Sequence, residues 1–473
     1  MYCPNCGSQL APGARFCSSC GIAVADPSMT QPSAPPAYGA PYGYAVPRQM
    51  PAIFGGDWAG AAIVNAIGLG AMFALSLIGA IAGGTGNAPQ GSAVFSVVFH
   101  FVAMAAGGSV SFESGLGGDS VDVAFRPLTV ALVGYGLLAF AFLRRLRRGG
   151  PLTRAGYGLQ VGRVAVIHVG ALAVIALLSR LGDAGPFVVD SSVDVASTMF
   201  YGAATLGIAL FTVTVLGLPG LFPGRVEHYR GLIAGPVRAM LFLTVASSVV
   251  TFVLVLVLMA DDPGGNRLGI AVPSTENVGD LVRQIITLVV LVLPNLAGYV
   301  LLFGMGVPLH VGVSLGDLGG EESRTILDAA GDDGLYWVMA GIALVLLVAT
   351  GWYSARHSPV TATGKRVGWW LAAVMPVALF VLALGLDTSA SAGGFGGGGG
   401  FDLFFVILLG AVYGIGVGML GTVLVRRREP APGHPMTRPG YGPPPLGYGP
   451  PPQDYGPPSQ GYGPPTGFRP PPR

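Results

Sequence analysis

Long apolar runs dominate this chain, and its polar residues collect between them. The runs lie near residues 58–82, 127–143, 163–181, 198–217, 237–260, 335–352, 368–386 and 402–425. Each is about the length needed to cross roughly 30 Å of hydrocarbon at about 1.5 Å per helical residue. The pattern predicts an all-α polytopic membrane helix bundle of about eight spans. Residues 93–107 are also apolar but too short to cross, and are expected to lie at the interface. Residues 285–306 are long enough, yet Pro294-Asn295 sits in the middle and Gly304, Gly306 and Pro308 follow. Proline lacks the helix N–H donor and clashes with the preceding turn. A broken, re-entrant segment is therefore expected here, entering and leaving on the outer side; the alternative is a ninth span.

Composition agrees with this class. Hydrophobic residues make up 52% of the 473 and charged residues only 10%, with a mean hydropathy of +0.64. Soluble domains carry roughly 25% charged residues. All but one of the 25 basic residues are arginine, the exception being Lys365. Their placement sets the expected orientation. Arg144, Arg145, Arg147 and Arg148 follow the second run, and Arg225, Arg230 and Arg238 separate the fourth from the fifth. Arg356, Lys365 and Arg366 separate the next pair, and Arg426, Arg427 and Arg428 close the last. The alternate loops carry Asp119 and Asp122, then Asp183, Asp190 and Asp194, then Asp261 and Asp262. A ninth crossing would place Glu321, Glu322, Asp328, Asp332 and Asp333 inside and the final arginines outside. Eight crossings put both termini in the cytoplasm of a multi-pass plasma-membrane protein.

The four cysteines all fall in the first twenty residues, as Cys3-x-x-Cys6 and Cys17-x-x-Cys20. Four thiolates match one tetrahedral Zn²⁺ with every coordination position closed, which makes the site structural. Gly7 and Gly21 follow each pair, where a positive φ lets backbone N–H groups approach the sulfurs. So short a segment has no hydrophobic core, and metal binding supplies roughly 10–16 kcal/mol of folding free energy. The ten-residue spacer resembles the compact double-knuckle zinc ribbon at the head of many bacterial membrane proteins, a resemblance that covers residues 1–22. No apolar leader precedes Tyr2-Cys3, so the ribbon is expected in the reducing cytoplasm. Arg15 is its one basic residue, and a nucleic-acid role is not expected.

The domain order expected is a ribbon at 1–25, a Pro/Ala/Tyr linker at 26–52, a transmembrane helical domain at 53–428 and a tail at 429–473. Linker and tail are low in complexity and expected to be disordered. The tail places Tyr441, Tyr448, Tyr455 and Tyr462 seven residues apart, each followed by Gly-Pro-Pro. Ribbon and tail together suit a cytoplasmic protein partner. Gly410, Gly414 and Gly418, with Gly79 and Gly83, are small-residue faces for close helix packing or for a homo-oligomer. The stretch from Gly393 to Gly400 reads as a flexible outer loop without a phosphate-loop lysine.

Polar residues within apolar runs are the default functional candidates. Asn65, His168 and Asn295 form the candidate intramembrane polar site. Arg180 lies at the outer end of the third run; His100 and Glu113 belong to the first outer loop, and His310 follows the Pro-Asn break. No carboxylate lies centrally in a run, and the metalloprotease, nucleophile-elbow and Walker motifs are all missing. An enzyme is not expected.

The membrane region resembles the streptophobe family of very hydrophobic actinobacterial proteins. The likeness rests on Ala106-Gly107-Gly108-Ser109-Val110, on Ala124-Phe125-Arg126-Pro127-Leu128-Thr129-Val130 and on the Arg-rich end at Phe142-Leu143-Arg144-Arg145-Leu146-Arg147. It implies membrane placement and brings no catalytic residues. The expected function is a non-enzymatic membrane protein displaying its ribbon and tail as docking elements; the alternative is a transporter or channel with a broken-helix site near Pro294-Asn295.

Overall fold

A computed structural model describes residues 56–83, 91–114, 120–148, 153–179, 188–221, 224–261, 278–315, 318–332, 334–358, 364–392 and 395–426. The ribbon cysteines, the linker, the tail and Arg180 lie outside the described residues. The helices are α1 (Trp58–Gly83), α2 (Gly91–Ala105), α3 (Leu128–Arg148), α4 (Arg154–Leu178), α5 (Val195–Gly217) and α6 (Gly224–Asp261). They continue as α7 (Val278–Thr287), α8 (Leu293–Gly304), α9 (Ile326–Asp332), α10 (Leu335–His357), α11 (Gly364–Leu386) and α12 (Leu403–Arg426). Among the described residues nine helices are long and apolar enough to cross a membrane, the ninth being Val282–Gly304. Large apolar side chains such as Phe140, Val166 and Phe200 face outward, as they do where the solvent is lipid.

One expectation about helices needs correction. Residues 282–304 do not break at Pro294. The chain passes from α7 through a π-helical turn, Leu288–Val292, straight into α8. The Leu293 N–H donates to Leu288 O, five residues back, and this wider turn accommodates a proline that has no N–H to give. Helix α2, expected at the interface, packs one face into the bundle. Val98, Val102 and Ala103 are buried, and Phe73 of α1 packs edge-on against Phe99 at 5.3 Å.

The larger correction concerns the loops, which make the molecule more than all-α. Seven strands form one antiparallel sheet: β1 (Val110–Ser114), β2 (Ser120–Ala124), β3 (Val188–Val193), β4 (Leu309–Leu315), β5 (Leu318–Arg324), β6 (Thr388–Ala392) and β7 (Phe395–Phe401). Their spatial order is β3-β1-β2-β6-β7-β4-β5. Within the glycine stretch expected as a flexible loop, the described glycines Gly396–Gly400 lie in strand β7, paired on one side with β6 and on the other with β4. The hydrogen bonds of the sheet tie four inter-helix connections together at one end of the bundle. The arginine-rich connections lie at the opposite end. There Arg147, Arg154 and Arg230 donate to Gly217 O, Leu221 O and Val215 O, satisfying carbonyls in and just beyond the last turn of α5.

The element order repeats. Helix α2 ends in a Schellman turn: Gly107 N–H donates to Met104 O and Gly108 N–H to Ala103 O, with Gly107 at φ 100°. Helix α8 ends the same way, Gly306 N–H on Phe303 O and Val307 N–H on Leu302 O, with Gly306 at φ 86°. A hairpin follows each turn, β1-β2 in one case and β4-β5 in the other. Val110 then pairs with Val193, and Leu309 with Phe401. The residue after each pairing strand, Asp194 or Asp402, donates its N–H to Ser109 O or Pro308 O at 3.1 Å. Each of these aspartates caps the next helix, Asp194 through Ala196 N and Asp402 through Phe404 N. The chain thus builds two equivalent halves, α1–α5 and α6–α12, each with its own apolar core.

The bridge between the halves is the α7–α8 segment. Val290 and Leu291 pack in the first core, and Leu301, Leu302 and Phe303 in the second. The small-residue faces are spent on packing within the chain. A Cβ at Gly79 would meet Leu291, and Cβ atoms at Gly414 and Gly418 would come within 2.7 Å of Ala372 and Gly368 of α11. The expected glycine stripe on α12 is thus covered by α11 and is not a free face for a second copy.

Candidate intramembrane polar site

Helices α1, α3, α4 and α5 converge on a small polar cluster. They can approach because side chains are missing at the crossings: a Cβ at Gly68 would come within 2.7 Å of Leu138, and one at Gly134 would overlap Met72. His168 of α4 is fully buried, and Asn65 of α1 and Tyr135 of α3 are 2% and 3% exposed. Burial at this level demands partners. The Asn65 Nδ2 group donates to Ala61 O at 3.0 Å and Val164 O at 3.1 Å, using both hydrogens. That leaves Oδ1 facing His168 Nδ1 at 2.9 Å, so Nδ1 carries the proton. His168 Nε2 lies 3.3 Å from the Tyr135 hydroxyl, which is also 3.3 Å from Gly202 O of α5.

Donor and acceptor counting allows two states. With His168 neutral, Tyr135 O–H donates to Nε2. With His168 protonated, Nε2–H donates to the Tyr135 oxygen and the hydroxyl turns to Gly202 O. The partners of the buried ring are all neutral, so the uncharged arrangement is the one the cluster holds. Its side chains are buried and bonded to one another and to backbone carbonyls.

Of the three residues expected to share a site, Asn65 and His168 meet and Asn295 does not join them. Asn295 of α8 donates Nδ2–H to Arg126 O at 2.7 Å and accepts from Leu128 N at 3.0 Å. It caps the first turn of α3 from another helix, and both ends of its amide are used. His100 stays on α2, its Nδ1 2.6 Å from Ser96 O. His310 sits on β4, 3.7 Å from Asp402. Sequence reasoning missed Tyr135; the signal was a lone hydroxyl between Gly134 and Gly136 within an apolar run.

Residues 2–24 match the zinc-ribbon domain family. No curated protein and no solved structure matches the chain. The donor set fits zinc, because Cys3, Cys6, Cys17 and Cys20 supply four soft thiolates in two Cys-x-x-Cys pairs. Among the described residues no group of three or more His, Cys, Asp or Glu side chains is placed to hold a metal. A zinc-ribbon domain joined to many apolar helices is consistent with an integral membrane protein.

Proposed function

We propose that this chain is a non-enzymatic plasma-membrane protein that carries a one-zinc ribbon as a cytoplasmic docking element, with the tail as a second element and a cytoplasmic protein as partner. The observation that carries the reading is the ribbon family match at residues 2–24, on a closed four-thiolate set, ahead of an apolar bundle. The polar cluster at His168 supports it, since every partnered atom there is buried and turned inward. The streptophobe-like layout of the membrane region belongs to the same proposal. A transporter site at Pro294-Asn295 draws less support, because the Asn295 amide is spent on Arg126 and Leu128.

The same proposal includes eight crossings, with the unbroken α7–α8 helix held against the sheet end instead of crossing. Helix α6 leads away from the arginine end, and α8 delivers the chain to β4 at the sheet end. In between, the segment meets sheet-end turns: Leu291 lies beside Gly79, Asn295 on the start of α3, and the Tyr299 hydroxyl on Leu386 O at the end of α11. Irregular backbone at membrane depth is tolerated when packed in protein like this. Reporter fusions after residues 270 and 315 should both report the outside; a cytoplasmic signal at 315 would overturn the eight-crossing reading.

The docking proposal is tested with full-length protein and its Cys3→Ser/Cys6→Ser variant, crosslinked in cells. The expected result is one zinc per chain and a defined cytoplasmic partner, both lost in the variant. Full zinc loading with no partner that depends on the ribbon would refute it.

A further inference from the structure

The equivalence of the two halves supplies an internal comparison at the sheet. By register, Ser192 and Asp190 of β3 occupy the places of Gly400 and Gly398 of β7, and Ser111 of β1 the place of His310 of β4. Strand β7 thus replaces a run of ordinary residues, Val188-Val189-Asp190-Ser191-Ser192, with five glycines, Gly396–Gly400. A glycine run weakens a strand, because it has no side chain to pack. Here its effect is to open a trough of about 790 Å³ over β7.

The trough has two chemically different ends. Ala383 and Leu384 at the end of α11, with Leu403 at the start of α12, form an apolar wall continuous with the lipid-facing helices. Asp387, His310 and Ser389 form the polar end. The Asp387 carboxylate stands over the strand: a Cβ at Gly400 would lie 3.1 Å from its Oδ1. Asp387 is exposed; its carboxylate makes no hydrogen bond among the described residues and lies within electrostatic reach of the Arg126 guanidinium, which leaves its oxygens open to a further donor. The floor offers no anion site, because β7 is flanked by ladders to β4 and β6 that use its backbone N–H groups. One oxygen of the neighbouring Asp402 carboxylate accepts from Phe404 N and Phe405 N, and the other faces His310 Nε2 at 3.7 Å.

We propose that this trough binds an amphiphilic amine, its ammonium group against Asp387 and its apolar body along Ala383, Leu384 and Leu403. A carboxylate with spare acceptor capacity selects a cation over an anion, and an apolar wall at the ends of two spans selects a hydrocarbon body. The site does not depend on the ribbon or on its partner. The ammonium group could come from a lipid headgroup or from a free amine.

The test uses the full-length protein in phosphatidylglycerol nanodiscs, with n-hexylamine as the probe and hexanol and hexanoate as controls, read by calorimetric titration. Saturable binding of hexylamine alone is expected. Asp387→Asn, at an exposed position, should weaken it at least about tenfold, or ~1.4 kcal/mol. Gly398→Val should abolish it by filling the trough; should that variant fail to fold, Asp387→Asn decides alone. Equal binding of hexanol or hexanoate, or an unchanged affinity in Asp387→Asn, overturns the proposal. Nanodiscs containing phosphatidylethanolamine then name the source: competition identifies a lipid ammonium, and its absence a free amine.

Discussion

Asn65 and His168 are 103 residues apart in sequence, yet their side chains meet at 2.9 Å inside the bundle. The amide is oriented by two backbone carbonyls, so it presents an acceptor and fixes the tautomer of the imidazole. Replacing Asn65 by Ala leaves His168 Nδ1 without a partner where no water reaches it. The expected cost is about 1–3 kcal/mol. Asn65→Leu with His168→Leu should recover much of the loss, because both partners become apolar together. Unfolding of the purified protein in detergent measures each variant, and strict additivity of the single effects would show that the pair is not coupled.

Gly107 and Gly306 occupy equivalent helix ends with positive φ, but their surroundings differ. A Cβ at Gly107 would lie 2.6 Å from Tyr201, whereas one at Gly306 would meet open space. Alanine at Gly306 should cost only the backbone strain, about 1 kcal/mol. Alanine at Gly107 should cost more, since Tyr201 must also move away from its stacking with Arg126, whose guanidinium carbon lies 4.3 Å from the ring centroid. Equal losses in melting temperature would contradict this account.

Helix α9 opens with a reciprocal cap. Thr325 N–H and hydroxyl both donate to the Asp328 carboxylate, at 3.0 and 2.7 Å. The Thr325 hydroxyl, and then its backbone N–H, hold the Asp328 carboxyl below the usual carboxylate range. A depressed folded-state value means that the cap is fully present above the unfolded value of about 3.9 and is lost as pH falls through the folded value. The protection of amides across residues 326–332, relative to their intrinsic exchange at the same pH, should therefore fall below about pH 4, beyond the change seen in α10. Asp328→Asn should show the lower protection already at neutral pH.

The ribbon has no core to fall back on. Chelation of the full-length protein should release zinc and expose four reactive thiols while leaving the helical circular dichroism of the membrane domain essentially unchanged. A cooperative loss of helix on chelation would mean that the metal holds more of the molecule than the first 25 residues.

Much of this architecture was legible in the chain. An apolar run of about twenty residues has one economical solution in lipid, a helix that satisfies its own backbone, so the runs opening at residue 58 and closing near 386 and 425 became α1, α11 and α12. Helix α6 starts earlier than its apolar run, at Gly224, because the arginine-end turns continue the same helix through Pro236. The ribbon was equally plain, since four thiolates at that spacing suit few other ends.

The sheet was not legible, for a physical reason. Strand β2 pairs with β6 across more than 260 residues, and β7 is nearly all glycine, which carries no alternating pattern for its register to show. The likeness of the two halves was hidden too. It lives in backbone hydrogen bonds accepted by the main-chain carbonyls of unlike residues, Ser109 in one half and Pro308 in the other. The sequence by itself determined which runs are apolar and long enough to span and where four thiolates stand at zinc-ribbon spacing, because both are decided by local chemistry. Only the tertiary structure decided which loops join into a sheet, that Tyr135 completes the pair of Asn65 and His168, and that Asn295 serves α3 instead, because each depends on contacts between residues far apart in the chain.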